Sequence, residues 1–123
     1  MEKENPQDLR TRTTDFELRI IKLYTSLPQT SEAQVLGKQV LRSGTSVGAN
    51  YREGHRAKSD ADIVNKFETV LQELDETDYW LELLVKSNIM VAAKADPLRK
   101  EASELLAIFT TIVTKIKKRM GKI

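Results

Sequence analysis

Apolar residues recur along this chain every three or four positions and never alternate with period two, a pattern that predicts helices and no strands. The first stripe holds Leu9, Phe16, Ile20, Leu23, Tyr24 and Leu27. Either Asn5-Pro6 or the capping-box pattern Thr14-x-x-Glu17 could open it, and Pro28 stops it. A second helix is predicted from Ser31, where Ser31-x-x-Gln34 forms another capping box, with Leu36, Val40, Val47 and Tyr51 in line. The third starts near Ser59, with Asp60 and Asp62 placed favourably against the helix dipole. Its stripe is Ile63, Phe67, Val70, Leu71, Leu74, Leu81, Leu84 and Val85. Asp96-Pro97 reads as the N-cap and first residue of the fourth, whose stripe runs from Leu98 through Ala102, Leu105, Leu106, Phe109, Ile112, Val113 and Ile116 to Met120. Connections are short, which makes sequential neighbours antiparallel. The expected fold is therefore all-α: an up-down-up-down four-helix bundle formed by residues 1–123 as a single domain.

Polar residues interrupt this pattern most between positions 42 and 84. Ser43, Asn50 and Gly54 fall inside the arc of Leu36, Val40 and Val47, and Thr77 and Asp78 sit in the matching arc of the third helix. A buried hydroxyl or amide without a partner costs on the order of 1–3 kcal/mol, so these groups call for one another. A polar layer centred on Asn50 is the simplest arrangement. Arg42, Ser46, Ala49 and Glu53 form a flanking stripe, and Glu73, Glu76 and Trp80 form its counterpart. Arg42 can then pair with Glu73 or Glu76, within one chain or between chains. Such a network either specifies one packing arrangement or lines a functional surface. On the opposite flank of the second helix, Gly44 and Gly48 allow another backbone to approach closely.

Outside the core arcs stand Leu18 and Ile21 on the first helix, and Tyr79 and Leu83 on the third with Trp80 beside them. This outer apolar set, which includes the only Trp, predicts self-association.

Composition narrows the chemistry. The 123 residues can bury roughly two-thirds of the unfolded surface as one domain. There is no cysteine, hence neither disulfide nor thiolate metal site. No apolar run exceeds five residues, so no membrane span is expected, and the polar start offers no secretion signal. A cytoplasmic protein is the expectation. A carboxylate-bridged di-iron site needs two Glu-x-x-His pairs, whereas His55 is the single histidine. The glycines of RSGTSVGAN lack the Gly-Lys-Ser/Thr ending of a phosphate loop. No catalytic, cofactor-binding or metal site is expected, and no enzyme.

Net charge is only +2 but unevenly spread. Residues 31–58 carry five Lys/Arg against two acids, residues 59–88 two against eight, and residues 89–123 eight against three. Basic and acidic helices lying side by side would explain this. So would a basic end serving a polyanion.

The segments RIIKLYTSLP, GKQVLRSGTSVGANYREGHRAKS and LQELDETDYWLELL resemble the bacterial "four helix bundle protein" family, whose founding members are encoded by intervening sequences within 23S ribosomal RNA genes. The resemblance covers nearly the whole chain and is most specific in RSGTSVGAN-YRE and ETDYWLELL. It implies a bundle assembling as a homopentameric ring. It also implies likeness to the accessory variability protein of diversity-generating retroelements, a pentamer that binds nucleic acid and a reverse transcriptase.

Two function classes follow. One is a non-enzymatic oligomer that binds RNA or DNA backbone through Lys115, Lys117, Lys118, Arg119 and Lys122, joined by Arg52, Arg56 and Lys58. No exposed aromatic row accompanies these cations, which argues against base stacking. The other is a scaffold that docks a protein partner and has no nucleic-acid role.

Overall fold

The computed structural model describes residues 6–123, with side chains from Leu9 onward. It is a four-helix bundle: α1 (Pro6–Thr25), α2 (Ser31–His55), α3 (Asp60–Lys86) and α4 (Ala92–Arg119). Cross-helix pairs show the antiparallel order directly. Ser43 meets Thr77 and Glu53 meets Lys66 across α2 and α3. Asp78 meets Arg99 and Asp60 meets Arg119 across α3 and α4. In each case the partner's number falls as the first rises. The α1–α4 seam, which closes the bundle, is much the sparsest of the four.

One core runs through all four helices. Phe16, Ile20, Val40, Val47, Val70, Leu74, Leu81, Leu84, Leu105 and Phe109 are fully or almost fully buried in it. The apolar stripes put them there, since positions three and four apart share a helix face. Leu36, Ile63, Leu71 and Val85 lie at the edges of their stripes and only pack against this core from its margin. Near one end Tyr51, Phe67 and Phe109 form a ring cluster, with Phe67 edge-on to Phe109 at 5.2 Å and stacked on Tyr51 at 5.9 Å.

Helix boundaries differ from the sequence reading in three places. Thr14 lies inside α1, where its hydroxyl donates to the Arg10 carbonyl at 2.8 Å, so it caps nothing. Pro6 opens that helix, and Asn5 lies outside the described residues. The cap of α2 is Thr30, one residue before Ser31; its Oγ1 accepts from the Ala33 amide. Gln34 instead bridges to the Pro28 carbonyl and the Tyr24 hydroxyl. Helix α4 begins at Ala92, which places Pro97 in its interior. Proline there forfeits the bond to the Ala93 carbonyl, but the earlier start carries Ala95 into the core.

The helix ends are closed by recognisable devices. Ser59 caps α3 by accepting from the Asp62 amide. At the other end of α3, Asn88 adopts φ 64° while Ile89 N donates to Leu84 O and Asn88 N to Val85 O, a Schellman motif with Asn in place of Gly. Gly121 at φ 77° closes α4 in the same way, with Lys122 N donating to Lys117 O.

Candidate nucleic-acid interface and polar network

Antiparallel packing gathers the C-terminus of α2, the N-terminus of α3 and the C-terminus of α4 at one end of the bundle. All eight cations considered for nucleic acid belong to this end, but they are not equally available. Arg119 grips Asp60 through two bonds, Nε to Oδ2 at 2.9 Å and Nη2 to Oδ1 at 2.8 Å. The bidentate contact pulls the Asp60 carboxyl below its usual range and raises the Arg119 guanidinium. Lys117 pairs with Glu68 at 2.6 Å. Arg52 lies back across α1 and donates to Thr14 Oγ1 at 3.1 Å. Lys115 sits one turn before Arg119 and is engaged in an interaction of its own. Arg56, Lys58, Lys118 and Lys122 make no ion pair among the described residues.

The polar layer between α2 and α3 exists, but Asn50 is not its centre. Ser43 and Thr77 are both fully buried, and Thr77 Oγ1 lies 2.9 Å from Ser43 Oγ. Each hydroxyl also reaches a carbonyl of its own helix, Gln39 for Ser43 at 2.9 Å and Glu73 for Thr77 at 2.8 Å. Asn50 is half-buried at the margin and donates to the Ser46 carbonyl. Asp78 turns away from α2 altogether, to a bidentate pair with Arg99 of α4. Glu53 is exposed and pairs with Lys66 at 2.7 Å.

The flank pairing falls within the chain. Arg42 Nη2 donates to Glu76 at 2.8 Å and its Nη1 stands 3.6 Å from Glu73. Only 13% of the Glu73 side chain is exposed, and its Oε1 has no hydrogen-bond partner. Burial first, and then the neighbouring Glu76 charge, push the Glu73 carboxyl up, while Arg42 pulls it down. Trp80, two turns further along α3, buries Nε1–H equally without a partner. Its ring packs on the core and tilts against the exposed Tyr79 at 5.0 Å.

The outer apolar set divides. Tyr79 is 51% exposed on α3 with Leu83 half-buried nearby. Leu18 and Ile21, 59% and 42% exposed, stand on α1. These helices are diagonal in the bundle, so the two groups do not form one patch.

Two features escaped the sequence reading. Arg12 crosses the α1–α4 seam to Glu101 at 2.7 Å and Glu104 at 3.0 Å. Glu17 lies against the glycine flank of α2, where its Oε2 accepts from the Gly48 amide at 2.5 Å. Burial raises the Glu17 carboxyl, and the Gly48 amide and Arg52 partly offset that. The Gly44-x-x-x-Gly48 spacing predicts the approach of another backbone, but what fills it is side chains, Ile20 over Gly44 and the Glu17 carboxylate over Gly48.

Among the described residues no cluster of His, Asp and Glu is arranged to hold a metal ion, and no helix is long and apolar enough to cross a membrane. The fold and this charged end define an all-helical bundle whose distinctive residues cluster on the α2–α3 pair. The profile of the 23S rRNA-intervening sequence protein family matches residues 7–111, and the chain belongs to that family. It is similar to a crystal structure of a protein of unknown function from the S23 ribosomal protein family of Bacteroides thetaiotaomicron, at 35% identity and a TM-score of 0.83. That match covers 89% of this chain and 97% of the other. No protein of curated function matches.

Proposed function

We propose that this protein is a non-enzymatic oligomer that binds the sugar–phosphate backbone of RNA or DNA through one end of its bundle. The observation that carries this reading is the convergence there of Arg56, Lys58, Lys118 and Lys122, which make no ion pair among the described residues. Arg119 and Lys117 are neutralised by α3 and contribute less. Backbone binding releases counterions, and four engaged phosphates on a duplex give a slope of log affinity on log salt of about −3.6 per protomer. Anisotropy of labelled RNA hairpin and DNA duplex with the nuclease-treated protein, between about 50 and 200 mM salt, measures that slope. The variant R56Q/K58Q/K118Q/K122Q should abolish binding. Undiminished affinity in that variant, or no binding by the native chain at low salt, would refute the reading.

A second reading concerns the α2–α3 flank. The buried Trp80 N–H without a hydrogen-bond partner carries a cost of about 1–3 kcal/mol and lies beside the exposed Tyr79, while on the same helix Glu73 Oε1 has only the 3.6 Å ion pair with Arg42. This supports the flank as a protein-docking face, first for other copies of the chain, as the homopentameric ring implied by the family resemblance requires. Light scattering should give an assembly for the native chain and a smaller species for Tyr79→Glu with Leu83→Glu. A native monomer at micromolar concentration would remove the idea.

A further inference from the structure

Across the helix seams of this bundle, cations as a rule face acids: Arg12 faces Glu101, Arg42 faces Glu76, Arg99 faces Asp78, and Arg119 faces Asp60. The α1–α4 seam breaks that rule at the end remote from the basic C-terminus. There a cleft of about 320 Å³ opens between the helices, lined by Arg19, Lys22, Leu23, Lys94, Pro97 and Leu98. Arg19, Lys22 and Lys94 are exposed on its rim, and none makes an ion pair among the described residues. Two acids of this seam are committed elsewhere, since Glu101 and Glu104 both hold Arg12 two turns away on α1. Asp15, one turn before Arg19, and Asp96, beside Pro97, make no ion pair among the described residues, and neither lines the cleft. The floor is aliphatic: Leu23 and Leu98 are nearly fully buried beneath the opening, and the Pro97 ring forms a wall.

We propose that this cleft is a binding site for a small organic polyphosphate of the nucleoside triphosphate class. The phosphates would lie among Arg19, Lys22 and Lys94, and the apolar body would rest on Leu23, Pro97 and Leu98. Three like charges around one opening repel one another until a polyanion neutralises them, which makes multiple negative charge the first requirement. The aliphatic floor sets the second, because inorganic phosphate leaves it in water. The volume stands at the lower end of the range for small-molecule sites. The absence of an acid from the rim disfavours a cationic ligand. This proposal does not rest on the nucleic-acid reading, which uses different residues at the other end.

Fluorescence titration of the full-length, nuclease-treated protein with N-methylanthraniloyl-ATP tests it. Saturable binding is expected, with Kd raised by about tenfold or more in R19Q/K22Q/K94Q. The three substitutions fall on exposed side chains, and circular dichroism checks that the helices persist. The other variant, R56Q/K58Q/K118Q/K122Q, should leave this binding unchanged. ATP should displace the probe at lower concentration than tripolyphosphate, and adenosine should not displace it. Retention of binding by the cleft variant, equal potency of tripolyphosphate and ATP, or absence of saturable binding overturns the proposal. So does an oligonucleotide without terminal phosphates that displaces the probe as well as ATP does, since the phosphate would then be a strand's and not a nucleotide's.

Discussion

Replacing Gly54 by Ala should destabilise the bundle, although alanine is the better helix former. A Cβ at Gly54 would lie 2.5 Å from Cε1 and 2.7 Å from Cδ1 of Phe67, and 3.0 Å from Cβ of Lys66. Ordinary carbon–carbon contact is about 3.5–4.0 Å, so one side must retreat by about 1 Å. Phe67 cannot swing aside, because Tyr51 stacks on it and Phe109 meets it edge-on. Overpacking of this kind costs typically about 1–3 kcal/mol. The gain in helix propensity is at most about 1 kcal/mol, and less at the last turn of α2. The net expectation is a loss of about 1–2 kcal/mol, or a fall in Tm of roughly 4–8 °C. Gly48→Ala is the control on the same helix. Its Cβ would meet the carboxylate of Glu17, the free end of a flexible side chain that can swing into water. Its stability should change little, within about 1 kcal/mol. Urea and thermal unfolding followed by far-UV circular dichroism at one fixed protein concentration measures both. A Gly54→Ala protein as stable as the native chain would refute the packing argument and leave propensity in control.

Glu17→Gln should gain on the native chain as pH rises. The half-buried Glu17 carboxyl is pushed up from its ordinary value, chiefly by burial. The folded state therefore binds the proton more tightly than the unfolded state, and the stability this confers is lost as pH climbs through the raised value. Chemical unfolding at several pH values would contradict this if the difference stayed constant or reversed. Ser43→Ala and Thr77→Val should each cost about 1 kcal/mol or less, because the surviving hydroxyl falls back on its own helix carbonyl. A double-mutant cycle giving a coupling well above that would show that the cross-helix bond dominates. Asp60→Asn releases Arg119 from its bidentate pair. Under the nucleic-acid reading it should raise affinity and steepen the salt slope by about one phosphate; weaker binding by a folded Asp60→Asn protein counts against that reading.

The helices were legible because burial follows the 3.6 period almost residue by residue. The misplaced boundaries share a cause, which is that local signals name compatible positions and tertiary packing chooses among them. Thr14-x-x-Glu17 has the letters of a cap, yet Leu9 and Thr13 are buried upstream and draw the helix back to Pro6. Asp96-Pro97 has the letters of a helix start, but burial of Ala95 extends α4 through it. The helical period puts Asn50 in the core arc, and the structure leaves it half-buried at the edge. A helical wheel resolves an arc, not which residue at its margin meets the facing helix. Ser43 and Thr77 were both in view as polar core residues. That they answer one another depends on the register between α2 and α3, which is not written in either helix alone.

Counting charge by segment has the same blind spot, with larger consequences for function. The C-terminal lysines and arginine look like a uniform basic tail because the acids that meet two of them, Asp60 and Glu68, lie far upstream, Asp60 by 59 residues from Arg119. Conversely, residues 1–30 hold five cations and five acids and look neutral. Yet folding leaves Arg19 and Lys22 facing Lys94 across a cleft with no acid at its rim. Sequence balance thus overstated one end of the bundle and hid the other. If unpaired charge, and not charge density, marks where a polyanion binds, the four cations of the first end and the three of the second that make no ion pair among the described residues should respond to different ligands. Exchanging the variants between the salt titration and the nucleotide titration should then show no cross-effect. A loss of both activities in either variant would mean that the two ends share one ligand spanning the bundle.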